Sequence, residues 1–180
     1  MRALPITVTA LAAALLLTAC DSGGGTSDDK TAAGGGAVDS ACAFGNVDME
    51  IGPVNAAPAT GDTGNVSVTV TNTKSECTLN GFPTVTLGYD STSATVPHDE
   101  AAQAQKLTLA KGATASFTLT YVRGEAGGAK SFPADVMKSR LPGDDAAATH
   151  SVDWTYGDVA LKDGTDKPDV TVSAFQQSGD

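Results

Sequence analysis

The chain has 180 residues, a mass of 18.0 kDa and a formal net charge of −10, with 11 Lys and Arg against 21 Asp and Glu. That length suits one domain with room for a tail, and the charge disfavours a nucleic-acid partner, because phosphate backbones are held by basic surfaces. Three cysteines and two histidines leave few ligands for a metal cluster, whereas twenty-three Thr and fifteen Val against two Ile point to strands, since both types are stiff at χ1 and fit a pleated surface.

The N-terminus concerns location. Met1-Arg2 gives a positive start and residues 3–17 form an apolar run. The run is shorter than the roughly 20 residues a membrane-spanning helix needs. Residues 1–19 therefore read as a secretory signal peptide. Its end, Leu17-Thr18-Ala19-Cys20, resembles the bacterial lipobox. That resemblance implies cleavage before Cys20 and a diacylglyceryl thioether on its sulfur, with palmitate-type chains. One acyl chain holds a protein to a membrane only marginally, and two hold it firmly. The expected location is the extracytoplasmic face of the cell membrane, with membrane lipid as the partner of Cys20. No second apolar run of spanning length follows.

Residues 20–41 read as a flexible tether. The stretch DSGGGTSDDKTAAGGGAVDS (residues 21–40) is rich in Gly, Ser, Thr and Asp, with too little apolar bulk to offset the entropy of ordering. As a Gly-rich coil it spans on the order of 25 Å. Once Cys20 is assigned to lipid, Cys42 and Cys77 remain, and an even pair in an exported domain reads as a disulfide. A link closing the loop from Cys42 to Cys77 stabilises by roughly 3–4 kcal/mol on the chain-entropy account.

Residues 42–178 read as a string of short strands. Val47, Met49 and Ile51 alternate with acids until Gly52-Pro53. Val66, Val68 and Val70 alternate with Ser67, Thr69 and Thr71, which is the strongest half-buried strand signal of the chain. Asn72-Thr73-Lys74-Ser75 turns. Cys77 and Leu79 share a face; so do Val85, Leu87 and Tyr89. Asp90-Ser91-Thr92-Ser93 turns again, and residues 95–97 form a short edge strand stopped by Pro97. Leu107 and Leu109 lead to the turn Lys111-Gly112. Ala113, Ala115, Phe117, Leu119 and Tyr121 then line a long strand. Phe132, Val136, Met137 and Leu141 have helical spacing after Ser131 and Pro133 and before Pro142-Gly143, which predicts one short crossover helix. Val152, Trp154 and Tyr156 line a further strand, followed by strands at 159–161 and 170–174. The expected fold is all-β: an antiparallel immunoglobulin-like β-sandwich of about eight strands with that helix on a crossover. A barrel is the alternative.

The run Gly64-Asn65-Val66-Ser67-Val68-Thr69-Val70-Thr71-Asn72-Thr73, then Cys77-Thr78-Leu79-Asn80-Gly81-Phe82-Pro83 and Val85 with Leu87, resembles domain-of-unknown-function family 4232. That family is common in lipoproteins and other exported proteins of actinobacteria. The stretch LTLAKGATASF (residues 107–117) is similar to its second block, with Lys111 where the family usually has Pro. The resemblance implies that Cys42 and Cys77 are the family's cysteine pair. Further cysteines towards the C-terminus, frequent in members, do not occur here. The resemblance implies fold and location, and no mechanism.

Chemistry-bearing residues are sparse. His98-Asp99-Glu100 reads as an exposed loop, since adjacent side chains point apart while metal sites need convergent ligands. His150 shares the parity of Val152 and Trp154, so it lies at the core rim or partners Asp144 or Asp145. Residues 163–169 lack calcium-loop spacing and read as a solvated hairpin turn. No Gly-x-Ser-x-Gly elbow and no free thiol is present for nucleophilic catalysis. The expectation is a non-enzymatic envelope module without a cofactor, which binds an envelope protein or wall glycan or acts as a spacer. The alternative is a small-ligand or metal-binding lipoprotein associated with a transporter. Residues 123–145 are too long for a hairpin loop and carry Arg123, Lys130, Lys138 and Arg140, the candidate contacts to an acidic partner.

Overall fold

The computed structural model describes residues 40–145 and 147–178. In chain order these form β1 (Val47–Asn55), β2 (Thr63–Asn72), β3 (Cys77–Asn80), β4 (Thr84–Tyr89), β5 (Thr92–Thr95), β6 (Lys106–Leu109), β7 (Thr114–Val122), β8 (Ser131–Phe132), β9 (Val136–Arg140), β10 (His150–Asp153), β11 (Val159–Ala160), β12 (Val170–Val172) and β13 (Gln176–Gln177). One sheet runs β1-β2-β7-β12, with β13 also on β7; a second runs β10-β9-β4-β5; β11 with β8 and β3 with β6 form two-stranded sheets. The strand pairings are antiparallel.

The alternating pattern of β2 and β7 builds the centre. Val66 faces Leu119, Val68 faces Phe117 and Val70 faces Ala115 across the ladder. All six side chains are buried, while Ser67, Thr69 and Thr71 stay half-buried on the outer face. Val85, Leu87 and Met137 of the second sheet join the same hydrophobic core, so the architecture is sandwich-like. Late in the chain, Phe175 packs edge-on against Phe117 with ring centroids 5.7 Å apart.

The predicted crossover helix does not exist. Phe132 lies in β8, paired with Val159, and residues 136–140 form β9, which is paired on one side with β4 and on the other with β10. Met137 and Ser139 point inward and are buried, whereas Lys138 is exposed. The period of two is hidden in the sequence because the inward position 139 is a serine and the outward position 136 is a valine. A helix of two or three turns is marginal by itself. Two flanking ladders supply the backbone with partners that a local window does not contain.

Smaller differences have local causes. Tyr89 pairs with Thr92, so the β4–β5 loop is Asp90-Ser91 alone, with Asp90 at φ 50°. A positive φ at the first central residue is what the primed two-residue turns require. The strand therefore starts at Thr92, earlier than expected, and Tyr89 at its mouth is 46% exposed. Residues 154–156 lie beyond β10, yet the Trp154 N–H still donates to the Asp135 carbonyl at 2.8 Å.

Three features lock the ends of the sheets. Cys42 and Cys77 form a disulfide, Cα–Cα 5.0 Å, and beside it the Cys42 N–H donates to the Thr78 carbonyl at 2.8 Å. Asn72 is fully buried; its Nδ2 donates to the carbonyls of Ser75 and Leu109, each at 2.8 Å, and its Oδ1 accepts from the Lys74 N–H at 3.1 Å. Gly64 lies under Tyr121, where an added Cβ would stand 2.5 Å from the ring. That close approach lets the Tyr121 hydroxyl accept from the Ala57 N–H and donate to the Tyr156 carbonyl.

Candidate functional site

The structure separates the four cations proposed as partner contacts. Arg123 follows β7, and its Nη1 donates to the Ala57 carbonyl at 2.7 Å and the Pro58 carbonyl at 3.4 Å. Its backbone N–H donates to the Asp62 carbonyl and its carbonyl accepts from the Gly61 N–H. Arg123 thus pins the loop between β1 and β2 against the cluster of Tyr121, Trp154 and Tyr156, whose neighbouring rings lie 5.1 and 5.0 Å apart. Lys130 is exposed just before β8, and its carbonyl accepts from the Leu161 N–H.

Lys138 and Arg140 are brought together. They stand two residues apart on β9, so both project from the outer face of the second sheet. Their register partners on β4 are Thr86 and Thr84, and Lys138 also faces Ser151 of β10. Arg140 Nη2 lies 3.5 Å from Thr84 Oγ1. The result is a pair of cations on a hydroxyl-bearing sheet face, a chemistry suited to carboxylates and sugar hydroxyls.

The histidines are apart from each other and held by aromatic rings. His98 stacks on Phe82 at 4.2 Å with the rings 9° from parallel, and His150 stacks on Phe44 at 6.3 Å. Asp144 is near His150 in sequence, but its Oδ1 accepts from the Phe44 N–H at 3.1 Å. Asp99 Oδ1 accepts from the Ala101 N–H, closing its own turn. Residues 162–168 form a tight hairpin in which the Lys162 N–H donates to the Lys167 carbonyl and Lys162 Nζ stands 4.0 Å from Asp169. Among the described residues, no three of His, Cys, Asp and Glu converge as metal ligands, and no helix is long and apolar enough to cross a membrane. Cys20, the expected signal peptide and the expected tether as far as residue 39 lie outside the described residues, whereas Ala41, at the end of the expected tether, bridges to Thr78.

Sequence reasoning missed one cleft. A volume of about 480 Å³ opens where β1 meets the start of β10, lined by Phe44, Val47, Met49 and His150 with Asp48 and Glu50 at its edge. No local pattern announces it, because its walls come from segments a hundred residues apart in sequence. The stacking of His150 on Phe44 is what brings them together.

Fold and surface together define a disulfide-bonded, all-β domain whose two larger antiparallel sheets share one core. The family described as Domain of unknown function (DUF4232) matches residues 42–176, and the chain belongs to that family. No curated protein matches the chain. Among solved structures, the chain is similar to a β-glucosidase from Listeria innocua in complex with gluconolactone, at 15% identity and a TM-score of 0.31. That alignment covers 59% of this chain and 16% of the glucosidase.

Proposed function

We propose that this protein is a lipid-anchored extracytoplasmic module, non-enzymatic, which presents its β-domain on a flexible tether to a component of the cell envelope. The observation that carries the reading is the order of segments. An apolar run ends in Leu17-Thr18-Ala19-Cys20, a Gly- and Asp-rich stretch follows, and the family domain begins at residue 42. The Cys42–Cys77 disulfide suits an oxidising compartment. The dispersal of His98, His150 and Arg123 into separate packing roles supports display rather than catalysis. Lys138 and Arg140 are the contacts proposed for an acidic envelope protein or wall glycan. Replacing Cys20 with Ala tests the anchor: the variant should leave the membrane fraction for the soluble one. Unchanged membrane retention refutes the reading.

A further inference from the structure

We propose that the open edge of β1 receives an extended segment of a partner protein that alternates basic and apolar residues, adding a strand to the first sheet. β1 is a terminal strand, with β2 on one side only. The direction of its backbone groups follows from its neighbour. The Asn72 N–H donates to the Ala113 carbonyl and its own carbonyl accepts from the Gly112 N–H, so Asn72 bonds away from β1. Antiparallel ladders alternate. Thr71 and Thr69 therefore bond to Asp48 and Glu50, their register partners, and the N–H and C=O groups of Val47, Met49 and Ile51 point to the open side. No hydrogen bond joins that open side to another described residue. The register shifts between Ile51 and Val54, around Gly52-Pro53, which limits the usable edge to residues 47–51.

The side chains specify the occupant. Asp48 and Glu50 are exposed on the outer face, next to the open edge. A strand laid along β1 places every second side chain beside these two carboxylates, and the alternate ones towards the cleft of about 480 Å³ between Phe44, Met49 and His150. Basic residues fit the first set and small apolar residues the second. A second copy of this chain does not fit: antiparallel self-pairing about Met49 sets Asp48 opposite Glu50, and like charges directly opposed are destabilising. Exposed edges invite strand addition, and acids on an edge select which strand is accepted.

The probe is a synthetic octapeptide of alternating Lys and Val, offered to the full chain purified in detergent, with an alternating Glu-Val octapeptide as its opposite. The expected result is binding of the Lys-Val peptide, weakened by added salt, with new hydrogen-exchange protection at the amides of Val47, Met49 and Ile51. Charge reversal by Asp48→Lys with Glu50→Lys should weaken it at least tenfold. An Lys-Val peptide N-methylated at alternate residues should also fail on unmodified protein, which separates loss of strand pairing from loss of fold. Equal binding of the Glu-Val peptide, protection confined to other strands, amides of Val47, Met49 and Ile51 already protected without peptide, or a protein dimer paired through β1 would each overturn the proposal.

Discussion

Asn72→Ala should be among the most damaging polar substitutions in this domain. The side chain is fully buried and makes three hydrogen bonds: two from Nδ2 to the Ser75 and Leu109 carbonyls and one accepted from the Lys74 N–H. Ser75 and Lys74 lie on an exposed turn, so water replaces part of what they lose. Leu109 is fully buried, so its carbonyl loses a donor that water does not replace. A buried group left unpaired costs about 1–3 kcal/mol, and two weaker losses bring the sum to about 3 kcal/mol. Domain stabilities are roughly 5–15 kcal/mol, so this is a large fraction. Asn72→Asp should be worse, because it turns the donor aimed at two carbonyls 2.8 Å away into a charged acceptor. The assay is urea unfolding with the disulfide intact, followed by fluorescence of Trp154, the chain's one tryptophan, buried at 5% exposure. The midpoint should fall by about 1–2 M urea. Asn65→Ala is the control, since that half-buried side chain accepts from Thr120 Oγ1 in a bond open to solvent and should cost within about half a kcal/mol. A loss from Asn72→Ala below about 1 kcal/mol, or equal to that of the control, would refute the argument that Asn72 ties β2 to the turn before β7.

Val68→Asp should unfold the domain in the same assay, because it buries a carboxylate between Ile51 and Phe117, whereas Thr69→Asp, on the outer face, should cost no more than about 1 kcal/mol; equal damage would mean that β2 is buried on both faces. Replacing Cys42 and Cys77 together with Ala should lower stability by roughly 3–4 kcal/mol and make the midpoint insensitive to reductant, and a midpoint within error of the parent would contradict the role given to the bridge. Lys138→Glu with Arg140→Glu should leave stability within about half a kcal/mol, since both project outward from β9, yet weaken capture of an acidic envelope partner in a cross-linked pull-down. Unaltered capture would leave that face without a binding role.

What the sequence determined by itself is what local rules govern. Val66, Val68 and Val70, and Ala115, Phe117, Leu119 and Tyr121, declare their buried faces through a period of two, because a strand's alternate side chains share one face. Lys111-Gly112 marks a turn that Gly112 takes at φ 83°, a region open to glycine. The family was legible from the run ending in Thr71-Asn72-Thr73 and from Gly81-Phe82-Pro83. The tertiary structure decided whatever depends on partners distant in the chain. Residues 132–141 carry helical spacing, yet Val136–Arg140 form β9, since β4 and β10 flank that strand and no local signal encodes two ladders at once. Arg123 reads as a free surface cation but is committed to the carbonyls of Ala57 and Pro58, more than sixty residues earlier. Asn72 reads as a turn residue, and only the return of Leu109 shows what its amide holds. The cleft beside β1 exists because Phe44 and His150 meet there. Burial and hydrogen bonding act through space, so a side chain's local pattern gives its face, and the packing of the whole chain gives its partner.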